Sequence, residues 1–209
     1  MDFDELLKLH GLSIEILDKL SYESHLPFSL KEDLGTVDKN ELINELRVYS
    51  NWLNEQEMLS NISIDYRIKS FESIETKYDR YYPDREIRKV FNDILGLRDL
   101  CDDYQEILSV KDRRVHVVDL SIGKQNDDGY RGVHISYRRG IQYYPIELQF
   151  NTFYDRQLNN YLHDYIYKKN YPIGIGGTLR ILYEEGKIKN LDDFKEALEN
   201  VLHSSKKCE

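Results

Sequence analysis

Glu147 and Gln149 stand two residues apart in the run Ile146-Glu147-Leu148-Gln149-Phe150. Strict alternation predicts a strand over 144–150, with Ile146, Leu148 and Phe150 on one face and Glu147 and Gln149 on the other. A carboxylate and an amide then point the same way. A first strand, Val133 to Arg138, joined to it around Gly140, is its antiparallel partner, so His134 and the preceding Tyr130 reach the same surface. An acid, an amide, an imidazole and an aromatic ring on one sheet face make a reactive floor.

A second group stands upstream. Arg67, Lys69, Ser73 and Lys77 bring three cations and a hydroxyl to the start of a helix predicted over 71–81 and capped by Ser70, with Ser73 and Lys77 on one face. Cations beside the free N–H groups of a helix start suit a polyphosphate, and the same pattern also describes a solvated charged face. Asp93 opens the apolar run Ile94-Leu95-Gly96-Leu97, which reads as a buried strand carrying Arg98. A carboxylate there suits Mg²⁺, which takes one or two carboxylates together with phosphate oxygens, or it serves as a cap.

The remaining elements must position these groups. Residues 2–20 predict two short helices broken at Gly11, with Ser13 capping the second, and 21–37 form a loop. A long helix from Asp38 to Leu59 buries Leu42, Ile43, Leu46, Tyr49, Leu53 and Met58. An extended piece from Ile62 leads into the cationic helix. Further helices are expected over 84–91 and 102–110, then a strand over 114–120 and a polar loop over 121–128. Thr152 caps a helix running to Lys169, with His163 and Lys168 along it. The chain breaks over 170–178 at Pro172, Gly174, Gly176 and Gly177, a stretch without the lysine and spacing of a Walker phosphate loop. Helices over 179–185 and 191–203 close the fold, and 204–209 form a loose tail.

A chain of 209 residues is long enough for one domain with appendages and a proper core. The net charge of −9 argues against a protein that coats nucleic acid whatever its sequence, and leaves room for one local basic patch. Cys101 and Cys208 are too few for a disulfide framework or a metal cluster and point to a reducing compartment. There is no apolar run of membrane-span length, and the acidic N-terminus is unlike a signal peptide. A cytoplasmic protein with no membrane partner is expected.

Taken in order, Arg67-x-Lys69-x3-Ser73-x3-Lys77, Asp93-Ile-Leu-Gly-Leu-Arg98, Gly129-Tyr130-Arg131-Gly132-Val133-His134, Ile146-Glu147-Leu148-Gln149 and Tyr161-Leu-His163 resemble the synthetase domain of the RelA/SpoT family of pyrophosphokinases. The match runs from Arg67 to Lys169, and ordered blocks are far more specific than any one alone. The resemblance implies an α/β (α+β) fold, a mixed five-stranded nucleotidyltransferase-like sheet flanked by helices, with a synthetase core over 62–170 between helical extensions at 1–61 and 171–209. It also implies an enzyme that moves the β,γ-pyrophosphate of ATP onto a ribose 3′-hydroxyl with Mg²⁺. On the matching positions, Arg67 grips the adenine, Lys69, Ser73 and Lys77 hold the ATP phosphates, and Arg98 belongs to the same ATP-binding set. Asp93 binds Mg²⁺, and Glu147 assists the metal or takes the proton of the attacking hydroxyl. Tyr130 stacks on the acceptor base, and His134 and Gln149 position the acceptor.

Two departures bear on the acceptor. Where the family carries a lysine four residues ahead of the tyrosine and an asparagine two ahead, this chain has Asn126 and Asp128, and Lys124 is the nearest cation. The arginine common after Gln149 is Asn151 here. Both changes remove cations that a free guanosine di- or triphosphate needs. His163-Asp164 has no companion metal-site histidines, so the chain is similar to a stand-alone small alarmone synthetase. Divergent members of that group resemble toxins that pyrophosphorylate the 3′-CCA adenosine of tRNA and are neutralised by an antitoxin protein. That acceptor brings no 5′ polyphosphate, and its backbone would meet Lys111, Arg113 and Arg114, or Arg138 and Arg139. Arg113 or Arg114 would also supply an arginine expected soon after the Asp93 strand. The tRNA 3′ end is the favoured acceptor, with GDP or GTP as the alternative and a catalytically inactive binding module as the reading from another class. The terminal helices, 2–59 and 179–203, either pack against the sheet or serve a partner, including a second copy of the chain.

Overall fold

The computed structural model describes residues 1–167, 169, 171, 172 and 174–205; the helical position expected for Lys168 and the tail at 206–209 lie outside the described residues. Two compact units are distinguished. One comprises 1–99, 105–118 and 134–149, and the other 100–104, 119–133 and the chain from Phe150 onward.

Five strands, β1 (Asp65–Ile68), β2 (Leu95–Leu100), β3 (Val115–Asp119), β4 (Val133–Tyr137) and β5 (Ile146–Asn151), form one sheet in the order β1-β2-β5-β4-β3. β1 runs antiparallel to β2, with Arg67 opposite Gly96. Glu147 meets Gly96 and Gln149 meets Arg98, a constant offset that makes β5 parallel to β2. Leu120 and Gly132 exchange backbone hydrogen bonds while the Arg138 N–H reaches the Arg114 carbonyl, so β3 and β4 are antiparallel. The sheet is mixed, as the resemblance implied.

Alternation gives the sheet two unlike faces. Leu95, Leu97, Ile135, Tyr137, Ile146 and Leu148 are buried on one of them. The N-terminal helices cover that face in the first unit. They are α1 (Phe3–Leu9), α2 (Ile14–Lys19) and α3 (Lys39–Asn54), with Ser13 and Asp38 capping the last two as expected. Phe3 stacks on Tyr137 with 5.8 Å between ring centroids, and Tyr49 stacks on Tyr144 at 5.3 Å. Glu45, on α3, is a buried carboxylate satisfied by Ser24 Oγ at 2.6 Å, the His25 N–H at 2.8 Å and Tyr144 OH at 2.8 Å. The helix expected to reach Leu59 stops at Asn54. The side-chain amides of Asn54 and Gln56 take the carbonyls of Ser50 and Trp52, and a short helix, α4 (Glu57–Asn61), follows.

After β1, Ser70 caps α5 (Phe71–Tyr81) at the expected bounds. The next helix, α6, is confined to Ile87–Val90 rather than 84–91, because the backbone there bonds to Leu30, Glu32 and Leu34 instead of continuing a helical ladder. A single turn, α7 (Gln105–Leu108), replaces the helix expected over 102–110.

In the second unit, Thr152 caps α8 (Phe153–Tyr165), and α9 (Ile175–Glu184) and α10 (Leu191–Ser205) pack on it around Leu158, Leu162, Leu179, Tyr183 and Phe194. The helix expected to run to Lys169 stops at Tyr165, and the expected break is shorter than 170–178: Gly174, in the left-handed region, caps α9, and Gly176 and Gly177 fall in its first turn. A Cβ at Gly176 would stand 2.0 Å from the Asp128 carbonyl oxygen, so this helix start lies directly against the backbone of the 127–128 turn.

Candidate active site

The polar face of the first unit gathers most of the groups singled out by their spacing. β4 and β5 bring His134 Nδ1 within 3.1 Å of Glu147 Oε1. Gln149 donates its amide N–H to Glu147 Oε2, and its carbonyl oxygen accepts from Arg98 Nε at 3.0 Å. The chain Arg98–Gln149–Glu147–His134 therefore crosses β2, β5 and β4 on one surface. Glu147 lies over Gly96, where an added methyl group would stand 3.9 Å from its Oε2. Arg67, exposed on edge strand β1 opposite Gly96, lies on the same face.

Lys69 and Lys77 converge on Asp93 from the end of β1 and from α5. Lys69 Nζ is 2.6 Å from one carboxylate oxygen and Lys77 Nζ 2.9 Å from the other. Burial pushes the Asp93 carboxyl up, but the two ammonium groups outweigh it and hold the acid below the usual aspartate range, so Asp93 is ionised at neutral pH. Lys77 also reaches Asn92 Oδ1 at 3.4 Å. Ser73 is engaged by the cap, its Oγ 2.8 Å from Ser70 Oγ. Asn92 lines a cavity of about 550 Å³ together with Glu147 and His134, which joins the lysine–aspartate clamp to the floor. Arg113 and Arg114 line the same cavity, with Arg114 held on Asp112 at 2.7 Å.

This donor set fits Mg²⁺ arriving with a polyphosphate. Asp93 is ionised, and Mg²⁺ would need no cage of protein ligands there, since it takes one or two carboxylates together with phosphate oxygens. Among the described residues no group of three or more His, Cys, Asp or Glu is arranged to hold a metal.

No protein-family model matches the chain, and no curated protein matches it in sequence. Solved structures do. Small alarmone synthetase 2 from Bacillus subtilis is 22% identical over 78% of this chain and 97% of its own, with a TM-score of 0.44. Small alarmone synthetase 1 from Bacillus subtilis, bound to its product pppGpp, is 18% identical over 79% of this chain and 86% of its own, with a TM-score of 0.40. A GTP pyrophosphokinase family protein from Streptococcus pneumoniae is 19% identical over 78% and 88%, with a TM-score of 0.39. Identities this low speak to fold alone, and with these TM-scores the fold rests on the strands and helices described above.

Tyr130 belongs to the second unit, half-buried, with its hydroxyl 3.3 Å from Asn151 Nδ2 and Lys124 Nζ 5.7 Å from its ring centroid. The cations of its loop are committed locally. Lys124 pairs with Asp128, and Arg131 makes two 2.8 Å bonds to Asp127.

Several residues here were not singled out in the sequence. Arg180, fully buried on α9, donates to the Gly129 carbonyl at 2.8 Å, to Asp155 at 2.7 Å and to Asn159 at 3.1 Å. Asn159 in turn bonds both the N–H and the carbonyl of Arg131, so two helices grip the Gly129-Tyr130-Arg131 turn. An arginine four residues after a helical glycine, on an otherwise apolar helix, is the signal that marks it. Arg156 donates to Asn151 Oδ1 at 3.0 Å, which brings a guanidinium to the end of β5. Arg88, in the cavity with Glu147 and with Arg138, which the sequence did mark, completes the set.

The structure holds no helix long and apolar enough to cross a membrane among the described residues.

Proposed function

We propose that the chain is an ATP-dependent pyrophosphokinase that transfers the β,γ-pyrophosphate of ATP to a ribose 3′-hydroxyl. The observation that carries this reading is the pairing of an ionised Asp93, clamped by Lys69 and Lys77, with a Glu147–His134 pair lining a cavity that Asn92 shares. Lys69 and Lys77 exchange Asp93 for phosphate oxygens as the nucleotide enters, with Ser73 at the cap and Arg67 and Arg98 on the adenine side. Glu147 accepts the proton of the 3′-hydroxyl. His134 and Gln149, bonded to its two oxygens, hold the carboxylate in one orientation. The 3′-oxygen forms a bond to the β-phosphorus as the α,β-bridging bond breaks, and AMP leaves. Mg²⁺, held by Asp93 and Glu147 with the polyphosphate, would neutralise the charge that develops. Tyr130, on the resemblance alone, stacks on the acceptor base.

The favoured acceptor is the 3′-CCA adenosine of tRNA, which would make the protein a translation-blocking toxin with an antitoxin partner. The local commitment of Lys124 and Arg131 to Asp128 and Asp127 supports this, since it leaves that loop no spare cation for a 5′ polyphosphate. Synthesis of (p)ppGpp from GDP or GTP is the second reading, favoured by Arg156 beside Asn151. Purified protein is incubated with Mg²⁺ and γ-labelled ATP plus tRNA, GDP or GTP in turn. Label on the tRNA 3′ end is the expected result, label only on GDP or GTP selects the second reading, and label on none of them rejects the transferase.

A further inference from the structure

The cavity that Glu147, His134 and Asn92 line has a cationic side whose arginines the proposed catalytic step leaves without a task. Arg88 and Lys89 enter it from the α6 turn, Arg113 and Arg114 from the start of β3, and Arg138 from the end of β4. Five cations in one cavity are out of keeping with a chain of net charge −9. Glu86 holds Arg88 at 2.6 Å and also pairs with Lys89, and Asp112 holds Arg114 at 2.7 Å. Among the described residues, neither Arg113 nor Arg138 has a side-chain hydrogen bond or ion pair.

Arg138 is the telling member. It is partly buried beside the guanidinium of Arg88, and the one carboxylate that acts on it there, Glu86, is already shared by Arg88 and Lys89, so the cations outnumber the anion until a phosphate joins them. Burial, and then the charge of Arg88, push its guanidinium below its ordinary value against a smaller upward pull from Glu86. Guanidinium forks match the paired oxygens of a phosphate better than any other side chain. We propose that Arg138 and Arg113, backed by the anchored Arg88 and Arg114, form a phosphate subsite for the acceptor, beside Glu147 and separate from the Lys69–Lys77 clamp. Its assignment to the acceptor rests on the transferase reading; its affinity for phosphate does not. A 5′-diphosphate of a free nucleotide and a backbone phosphate of an RNA 3′ end offer the same chemistry to this cavity.

The test separates the two layers. Inorganic pyrophosphate is titrated by calorimetry into the full chain carrying Lys69→Ala and Lys77→Ala, which removes the donor clamp. Binding is expected to persist and to weaken about tenfold when Arg138→Gln is added, with Arg138→Lys recovering part of it. Loss of all binding in the clamp variant, or indifference to Arg138→Gln, overturns the subsite. In a second arm, Arg138→Gln in the otherwise native chain is assayed for transfer to GDP and to a short RNA hairpin ending in CCA. A raised KM for one of them, with KM for ATP unchanged, supports the proposal and identifies the source of the phosphate. An unchanged acceptor KM where transfer occurs overturns its acceptor role. Absence of transfer to either rejects the transferase reading, while the pyrophosphate titration still decides the cavity.

Discussion

At the scale of single residues, the groups that matter are held by partners that fix their charge or their direction. Glu147 is bonded on both oxygens, by His134 and by Gln149, so Glu147→Gln removes the proton acceptor while keeping the size of the side chain. Transfer is expected to fall by at least about 10²-fold with little change in thermal midpoint; activity within a few-fold of the parent would remove Glu147 from the chemistry. The buried network around Glu45 makes the opposite kind of prediction. Glu45→Ala strands the hydroxyls of Ser24 and Tyr144 and the N–H of His25, and is expected to cost about 2–4 kcal/mol in denaturant unfolding. Tyr49, stacked between Tyr22 and Tyr144, has a buried hydroxyl with no hydrogen-bond partner. Tyr49→Phe is therefore expected to leave stability unchanged or raise it by up to about 1 kcal/mol, and a loss of about 2 kcal/mol or more would contradict this account.

At the scale of elements, the sheet works because alternation divides its labour: aliphatic and aromatic side chains seat the N-terminal helices, and the other set makes the floor. In the second unit, α9 has a comparable double duty. Its glycine-rich first turn lies against the backbone of Asp127 and Asp128, and its Arg180 holds the carbonyl of Gly129. Gly176→Ala would drive a methyl group into the Asp128 carbonyl and is expected to cost about 1–3 kcal/mol, with changed fluorescence or chemical shifts at Tyr130. Ile181→Ala, on the face of the same helix that is 57% exposed at that residue, is expected to stay within about 0.5 kcal/mol. Equal costs for the two substitutions would mean that the close backbone approach at Gly176 does not matter.

At the scale of the whole molecule, an acidic protein owes part of its stability to carboxylates whose pKa values fall on folding. A hydrogen bond from Arg131 holds Asp127 below its ordinary 3.8, and one from Arg114 does the same for Asp112. Each group lends stability that is fully present above the ordinary value and is lost as pH falls through the lower folded value. Asp127→Asn is accordingly expected to lower the thermal midpoint near pH 7, with the gap to the parent closing below about pH 3. A gap that is the same at both pH values would show that the Asp127–Arg131 pair has no linkage to protonation.

The sequence by itself determined the strands, the caps at Ser13, Asp38, Ser70 and Thr152, and the shared face of Glu147, Gln149 and His134, because period, capping and alternation act over a few residues. It gathered Lys69 and Lys77 at one helix start without revealing that both close on Asp93. Only the tertiary structure decided that contact, the cavity shared by Arg88, Arg113 and Arg138, and the grip of Arg180 on the Gly129 turn. In each of these, side chains far apart in the chain meet only when strands pair and helices pack. Local periodicity carries no information about which distant partner will be there.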